Sequence, residues 1–182
     1  MKVFITRHGE TELNEKRLVC GQMEAKLTQL GISQAKNLAS SILEKKEEYN
    51  IKHIFVSPLE RARVTASFIE EALGIKAIVD SRLLEQDFGK MDTASWYDEA
   101  FLKIRKSPFE RFPGGESVVD VAHRAYSFLD ELKTKKLEGN VLIVCHGTFS
   151  RIMSTYFNSV TFEQYLDLKW KNCEIRAFDF NY

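Results

Sequence analysis

Arg7, His8 and Gly9 set a permanent cation, an imidazole and an unhindered backbone position side by side, and a second histidine, His146, is likewise followed by a glycine, Gly147. A guanidinium presents paired N–H donors that match a phosphate, and an imidazole beside it is a potential nucleophile. A glycine there lets the backbone turn tightly or come close to a ligand. These residue types suit the binding and transfer of a phosphoryl group. A third cation, Arg61, falls just after Ser57-Pro58-Leu59-Glu60, where a helix is expected to start. A cation in a first turn opposes the helix dipole, and either a bound anion or a pairing with Glu60 or another nearby carboxylate would account for it. Glu85 lies among Leu83, Leu84 and Phe88, apolar neighbours that would partly desolvate it and suit it to donating a proton. The aperiodic stretch 10–26 carries Asn14, Arg17 and Gly21 and is read as a loop able to supply further ligands.

Those residues need elements to hold them. The apolar runs Val3-Phe4-Ile5 and Val141-Leu142-Ile143-Val144-Cys145 read as buried strands, and strand ends are where an α/β sheet presents its chemistry. Ile54-Phe55-Val56 and Ala77-Ile78-Val79 read as further strands, and alternation at Cys173, Ile175 and Ala177 as a last one. Between them run helical patterns. One follows Thr28, with Ile32, Ala35, Leu38, Ala39, Ile42 and Leu43 on a stripe. Another has Ser57 as N-cap, Pro58 at its first position and Glu60 completing a capping box, and stops at Gly74. A third spans Trp96 to Arg105; with Lys103, Arg105, Lys106 and Arg111 that segment is basic and reads as a solvated face. The turn Pro113-Gly114-Gly115-Glu116 delivers Ser117 as the cap of a long amphipathic helix, and helices around Phe149–Phe157 and after Thr161 follow. His123 falls off its helix's apolar stripe and His53 opens a strand, so both read as structural or surface residues. Strands alternating with helices predict a largely parallel sheet covered on both faces. Arg7, His8, Arg61 and His146 all follow strand ends and are placed to share one crevice.

Composition narrows the partners. A chain of 182 residues is expected to form one domain over 1–182, and 44% hydrophobic with 29% charged residues is ordinary for a folded globular protein. Lys+Arg and Asp+Glu balance at 26 each, so no overall field favours nucleic acid or an anionic membrane. The opening run is interrupted by Arg7 too soon for a secretory signal and no run reaches membrane-spanning length, so a cytoplasmic location is expected. Cys20, Cys145 and Cys173 lack paired metal or redox spacing and read as buried structural residues. Without spaced ligand pairs such as His-x-x-x-His, neither a metal nor another cofactor is expected. The expected partner is a small phosphomonoester, with a homodimer left open.

Four motifs in order carry a resemblance. Arg7-His8-Gly9-Glu10-Thr11 with Asn14 resembles the opening signature of the histidine phosphatase superfamily, which includes cofactor-dependent phosphoglycerate mutases and many small phosphatases. Gly21 with Leu27-Thr28, Gly31 and Gln34-Ala35 resembles its next segment, Ser57 to Ala62 with Thr65-Ala66 its second-arginine motif, and His146-Gly147 its second-histidine motif. Two positions depart: Asp92-Thr93 stands where relatives usually carry Glu-Gly, and Cys20 where they usually carry a polar residue. The resemblance implies an α/β, phosphoglycerate mutase-like fold, a three-layer α/β/α sandwich with a mostly parallel central sheet. It implies His8 as the phosphorylated nucleophile, Glu85 as proton donor, Arg7, Arg61 and His146 as the phosphate pocket, Asn14 as a further donor, and Gly21 and Gly147 on the substrate side.

The chemistry is consistent with these residue types. A neutral imidazole attacks phosphorus in line if an acceptor holds its other nitrogen, while the arginines and a protonated second histidine offset charge on the equatorial oxygens. Glu85 would protonate the leaving alkoxide and later deprotonate water. The expected activity is metal-independent phosphomonoester hydrolysis through phosphohistidine. Its rivals are a mutase and a non-catalytic phosphoryl-ligand binding module. Only 27 residues separate Glu85 from Pro113, with no Arg-Arg pair among them, which leaves little to exclude water and favours hydrolysis.

Overall fold

In chain order the computed structural model, which describes residues 1–180, contains strands Lys2–Arg7 (β1), Ile51–Val56 (β2), Ala77–Val79 (β3), Asn140–Cys145 (β4) and Ile175–Asp179 (β5). Its helices are Glu12–Glu15 (α1), Gln29–Glu44 (α2), Lys46–Tyr49 (α3), Glu60–Leu73 (α4), Glu99–Arg105 (α5), Val118–Thr134 (α6), Gly147–Ser154 (α7) and Phe162–Asp167 (α8). The strands form one sheet in the order β3-β2-β4-β1-β5. Pairings of β1 with β4, β4 with β2 and β2 with β3 are parallel; β5 runs antiparallel along β1.

Successive side chains of a strand point to opposite faces, so runs apolar at every position must be covered twice. Val3, Ile5, Val141 and Ile143 pack with Val121, Phe128 and Leu129 of α6 and Phe149 and Ile152 of α7. Phe4, Ile54, Val56, Leu142 and Val144 pack on the other face with Leu38 and Ile42 of α2 and Ala62 and Ile69 of α4. The result is the expected three-layer α/β/α sandwich. Among the described residues no helix is long and apolar enough to cross a membrane.

Local capping largely follows the sequence. The hydroxyls of Thr28, Ser117 and Thr161 accept from Gly31 N at 3.0 Å, Asp120 N at 3.2 Å and Gln164 N at 3.2 Å. Such caps contribute about 1 kcal/mol each. Ser57 departs from expectation. Helix α4 begins three residues later, at Glu60, with Leu59 as an N-cap that supplies no side-chain bond, because the Ser57 hydroxyl is engaged 2.7 Å from His146 Nε2. The helix expected from Trp96 starts at Glu99, capped by Asp98; Trp96 is instead pinned to the neighbouring loop through bonds to Arg17 O and Leu18 O. The 10–26 loop contains one helical turn, α1, closed by a Thr11/Asn14 capping box. Leu43, expected on the apolar stripe, is exposed, and of the three cysteines only Cys145 is fully buried, Cys20 and Cys173 being half-buried in loops.

Candidate functional site

Parallel pairing in register brings three strand ends to one edge. Arg7 lies opposite Cys145 and Val56 opposite Val144, so the residues just beyond, His8, His146 and Ser57, emerge together. Each ladder runs on by one bond, from His8 N to Cys145 O at 3.0 Å and from Ser57 N to Val144 O at 3.1 Å. The two imidazoles stand edge to face with centroids 5.2 Å apart, His8 4% exposed and His146 fully buried.

A backbone partner fixes the His8 tautomer. His8 Nδ1 is 2.6 Å from Gly9 O, and a carbonyl only accepts, so Nδ1 carries the proton and Nε2 keeps its lone pair. His146 Nε2 lies 2.7 Å from the Ser57 hydroxyl, which also accepts from Leu59 N at 3.4 Å and is able to serve the imidazole as donor or as acceptor.

Arg7 donates from Nη1 to Trp170 O at 2.9 Å, and Arg61 from Nη1 to Met23 O at 2.7 Å and from Nη2 to Gly21 O at 2.6 Å. Neither guanidinium has a carboxylate partner among the described residues, so pairing with Glu60 does not explain Arg61. Three buried nitrogens, Arg7 Nε, Arg61 Nε and His146 Nδ1, have no hydrogen-bond partner among the described residues. Burial holds the Arg7 guanidinium down at about 10, against the opposing pull of Glu85. Gly147 lets the Arg7 side chain pack closely: a Cβ there would sit 3.1 Å from Arg7 Nε and 3.2 Å from Cζ, so the guanidinium would have to give way by a few tenths of an ångström.

Glu85, 5% exposed, lies at the N-terminus of α7. Its Oε1 accepts from Gln86 N and Phe149 N, both at 2.9 Å, and its Oε2 from Thr148 N at 3.0 Å. The helix dipole favours a carboxylate in that position. Asn14 Oδ1 accepts from Thr11 N at 3.3 Å and Asn172 Nδ2 at 3.2 Å, leaving its own amide N–H groups without a partner among the described residues. Gly21 is tied by its N–H to Asp92 Oδ1 at 2.7 Å, and a Cβ on it would meet that atom at 2.8 Å. Asp92, one of the two departures, therefore anchors the loop whose carbonyls hold Arg61. Among the described residues no group of three or more His, Cys, Asp or Glu side chains is placed to hold a metal ion.

The family description "Histidine phosphatase superfamily (branch 1)" matches residues 3–182. The chain belongs to the histidine phosphatase superfamily. It is 32% identical over 188 residues to "Probable phosphoglycerate mutase GpmB" of Proteus mirabilis, covering 99% of this chain and 85% of that protein. It is 34% identical over 153 residues to a protein of Hydrogenobacter thermophilus named as a candidate phosphoserine phosphatase, covering 80% and 73%. Among solved structures, a mycobacterial glucosyl-3-phosphoglycerate phosphatase in complex with VO3 superimposes with TM-score 0.87 at 26% identity, over 97% of this chain and 90% of that one. The superfamily contains mutases and phosphatases, and this chain resembles both.

Residues outside the predicted site set hold the superfamily site together: Thr65 belongs to the second-arginine motif, whereas Arg124 and Asn172 carry no local signal. Thr65 accepts from Gly9 N at 3.0 Å and donates to Arg61 O at 2.8 Å, tying the first motif to the second. Arg124 pairs with Glu116 at 2.9 Å and donates to Arg82 O, Leu84 O and Glu85 O at 2.6–2.9 Å, holding the segment that carries Glu85. Asn172 donates to His8 O at 2.9 Å, and the turn it occupies is fastened by Cys173 N to Arg7 O at 3.0 Å.

Burial, then the charges of Arg61 and Arg7, hold the His8 imidazole well below its ordinary range; burial, then Arg61, His8 and Arg7, do the same to His146. Burial and the neighbouring cations hold both toward the neutral form, which suits a nucleophile. The unfolded chain takes up protons on these histidines below about pH 6.5 and the folded chain does not, so stability is fully present above that pH and declines below it. The melting temperature should therefore fall between pH 7 and pH 5.5, a window above that of ordinary carboxylates. A melting temperature that rises on this acidification would contradict the assignment.

Proposed function

We propose that the protein hydrolyses a phosphomonoester of a small metabolite without a metal, through a phosphohistidine on His8. The observation that carries this reading is the set of three buried nitrogens, Arg7 Nε, Arg61 Nε and His146 Nδ1, without a partner among the described residues, together with an imidazole whose Nε2 keeps its lone pair. Leaving a buried guanidinium N–H unpaired costs about 1–3 kcal/mol, which a phosphoryl group recovers by accepting from it. His8 Nε2 attacks phosphorus as the ester P–O bond breaks, and Glu85, whose carboxylate takes up the proton that the phosphomonoester monoanion brings, passes it to the leaving alkoxide. Water then attacks phosphohistidine, Glu85 takes a proton from it, and inorganic phosphate leaves with His8 restored. Asn14 adds an amide donor to the pocket. The likeness to a glucosyl-3-phosphoglycerate phosphatase supports the reaction class.

The likeness to a protein named as a phosphoglycerate mutase supports a second reading, in which phosphohistidine returns its group to another hydroxyl. The short span from Glu85 to Pro113, without an Arg-Arg pair, favours hydrolysis. The deciding experiment assays purified protein in EDTA on a panel of phosphomonoesters, and on 3-phosphoglycerate with 2,3-bisphosphoglycerate, following 2-phosphoglycerate and free phosphate together. Phosphate release undiminished by EDTA, with little isomer, is expected. Isomer outpacing phosphate would replace hydrolysis with the mutase reading, dependence on a divalent ion would overturn the charge argument, and vanadate binding without turnover would leave a binding module.

A further inference from the structure

Beyond Glu85, away from the histidines, a small cavity is lined by Gln86, Phe101, Arg105, Thr148, Arg151 and Tyr165, among others. Two arginines approach it from different elements. Arg151, on α7, donates to Thr148 Oγ1 at 3.0 Å and lies over the Tyr165 ring, its Cζ 5.5 Å from the centroid. Arg105, at the end of α5, donates to Leu166 O at 3.0 Å. The sequence reads Lys103 to Arg111 as a solvated basic face, but only part of that holds. Lys103 and Lys106 are exposed and Arg111 pairs with Asp120 at the surface, whereas Arg105 is drawn inward because Phe101 of α5 packs against Phe88 and Phe112.

Placing two like charges in one partly buried cavity is unfavourable unless something offsets them. Arg82, Arg111, Arg124 and Arg176 each have a carboxylate within 2.7–2.9 Å. Among the described residues Arg105 and Arg151 have none, although Glu110 lines the same cavity. Burial, then the charge of Arg151, holds the Arg105 guanidinium below its ordinary range, against the smaller opposing pull of Tyr165 and Asp167. Thr148 connects this cavity to the phosphate pocket. Its N–H binds Glu85 Oε2 at 3.0 Å while its hydroxyl accepts from Arg151. A group held by Arg151 therefore sits next to the carboxylate assigned to the leaving alcohol. The free volume is about 30 Å³, where one water needs roughly 10–15 Å³. That admits a carboxylate and is small for a second phosphoryl group or a sugar ring.

We propose that Arg105 and Arg151 form a second anion subsite that binds a carboxylate on the alcohol portion of the substrate, so that the substrate class is a carboxylate-bearing phosphomonoester. The inference rests on the hydrolase reading above and names its substrate class. It is tested with two matched pairs that differ at the carboxylate: phosphoserine against phosphoethanolamine, and 3-phosphoglycerate against glycerol 3-phosphate. The readout is the ratio of kcat/KM within each pair, in the wild type and in Arg151→Met and Arg105→Met. In at least one pair the wild type should prefer the carboxylate by about tenfold or more, and each substitution should bring that ratio toward one, chiefly through KM. A wild-type ratio near one in both pairs overturns the subsite, and so does a ratio that survives both substitutions, since arginines serving only packing would lower both members of a pair alike. If no turnover occurs, calorimetry on the same pairs measures the corresponding ratio of binding constants, and the same two outcomes overturn the subsite. Turnover of p-nitrophenyl phosphate, which has no carboxylate, separately reports whether the hydrolase reading stands.

Discussion

His8→Ala should lower kcat by at least about 10³-fold on every phosphomonoester, because on the proposed route it removes the atom that bonds to phosphorus and not merely a contact to substrate. Among the described residues the imidazole makes one hydrogen bond, to Gly9 O, and it belongs to neither packed apolar face of the sheet. The variant should therefore keep its circular dichroism spectrum. Rapid quenching of the wild type with radiolabelled substrate should trap an adduct that is labile in acid and stable in base, as a phosphoramidate is, and the variant should trap none. An adduct that survives acid, or substantial turnover by the variant, would remove His8 from the reaction path.

Glu85→Gln is expected to divide substrates by their leaving groups. For an alkyl phosphate, whose alkoxide cannot depart without a proton, turnover should fall about 10²–10⁴-fold. For p-nitrophenyl phosphate the loss should be far smaller, since that phenolate leaves unprotonated. Glutamine keeps the volume but offers one acceptor oxygen where the carboxylate offers two, so one of the N–H groups of Gln86, Thr148 and Phe149 faces an amide N–H₂. That clash lowers stability for both substrates alike and cancels in their ratio. Equal losses on the two would mean that Glu85 acts by holding α7 in place and not by proton transfer.

The sheet and both histidines were legible because their signals are local. Val3-Phe4-Ile5 and Val141 to Val144 are apolar at every position since both faces of the sheet are covered, and each run is followed by His-Gly at the edge. Thr28, Ser117 and Thr161 cap helices whose N–H groups lie three residues on. Ser57 satisfies the same pattern and is not a cap, because its hydroxyl is claimed by a histidine 89 residues away. Arg124 and Asn172 are missed for the same reason. Their partners are distant in the chain, and a distant hydrogen bond imposes no periodicity on the residues around it. Arg105 is the converse: a basic run reads as solvated until the aromatic cluster beneath α5 fixes which of its cations turns inward.

The fastening of the site by its last turn has a consequence for how the protein comes into being. Trp170 O accepts from Arg7, and Asn172 donates to the carbonyl of His8, across 163 and 164 residues of chain. At roughly 5–20 residues per second of synthesis, β1 waits on the order of 8–30 s after its own translation before these partners exist. Through that interval an apolar strand destined for the interior of the sheet has no β5 beside it, and needs protection from association with other chains. His8 is equally unfinished, with its backbone untethered and Arg7 free to swing. The nascent protein thus reaches its most aggregation-prone stage before it can turn over substrate, and activity becomes a late reporter of completed folding.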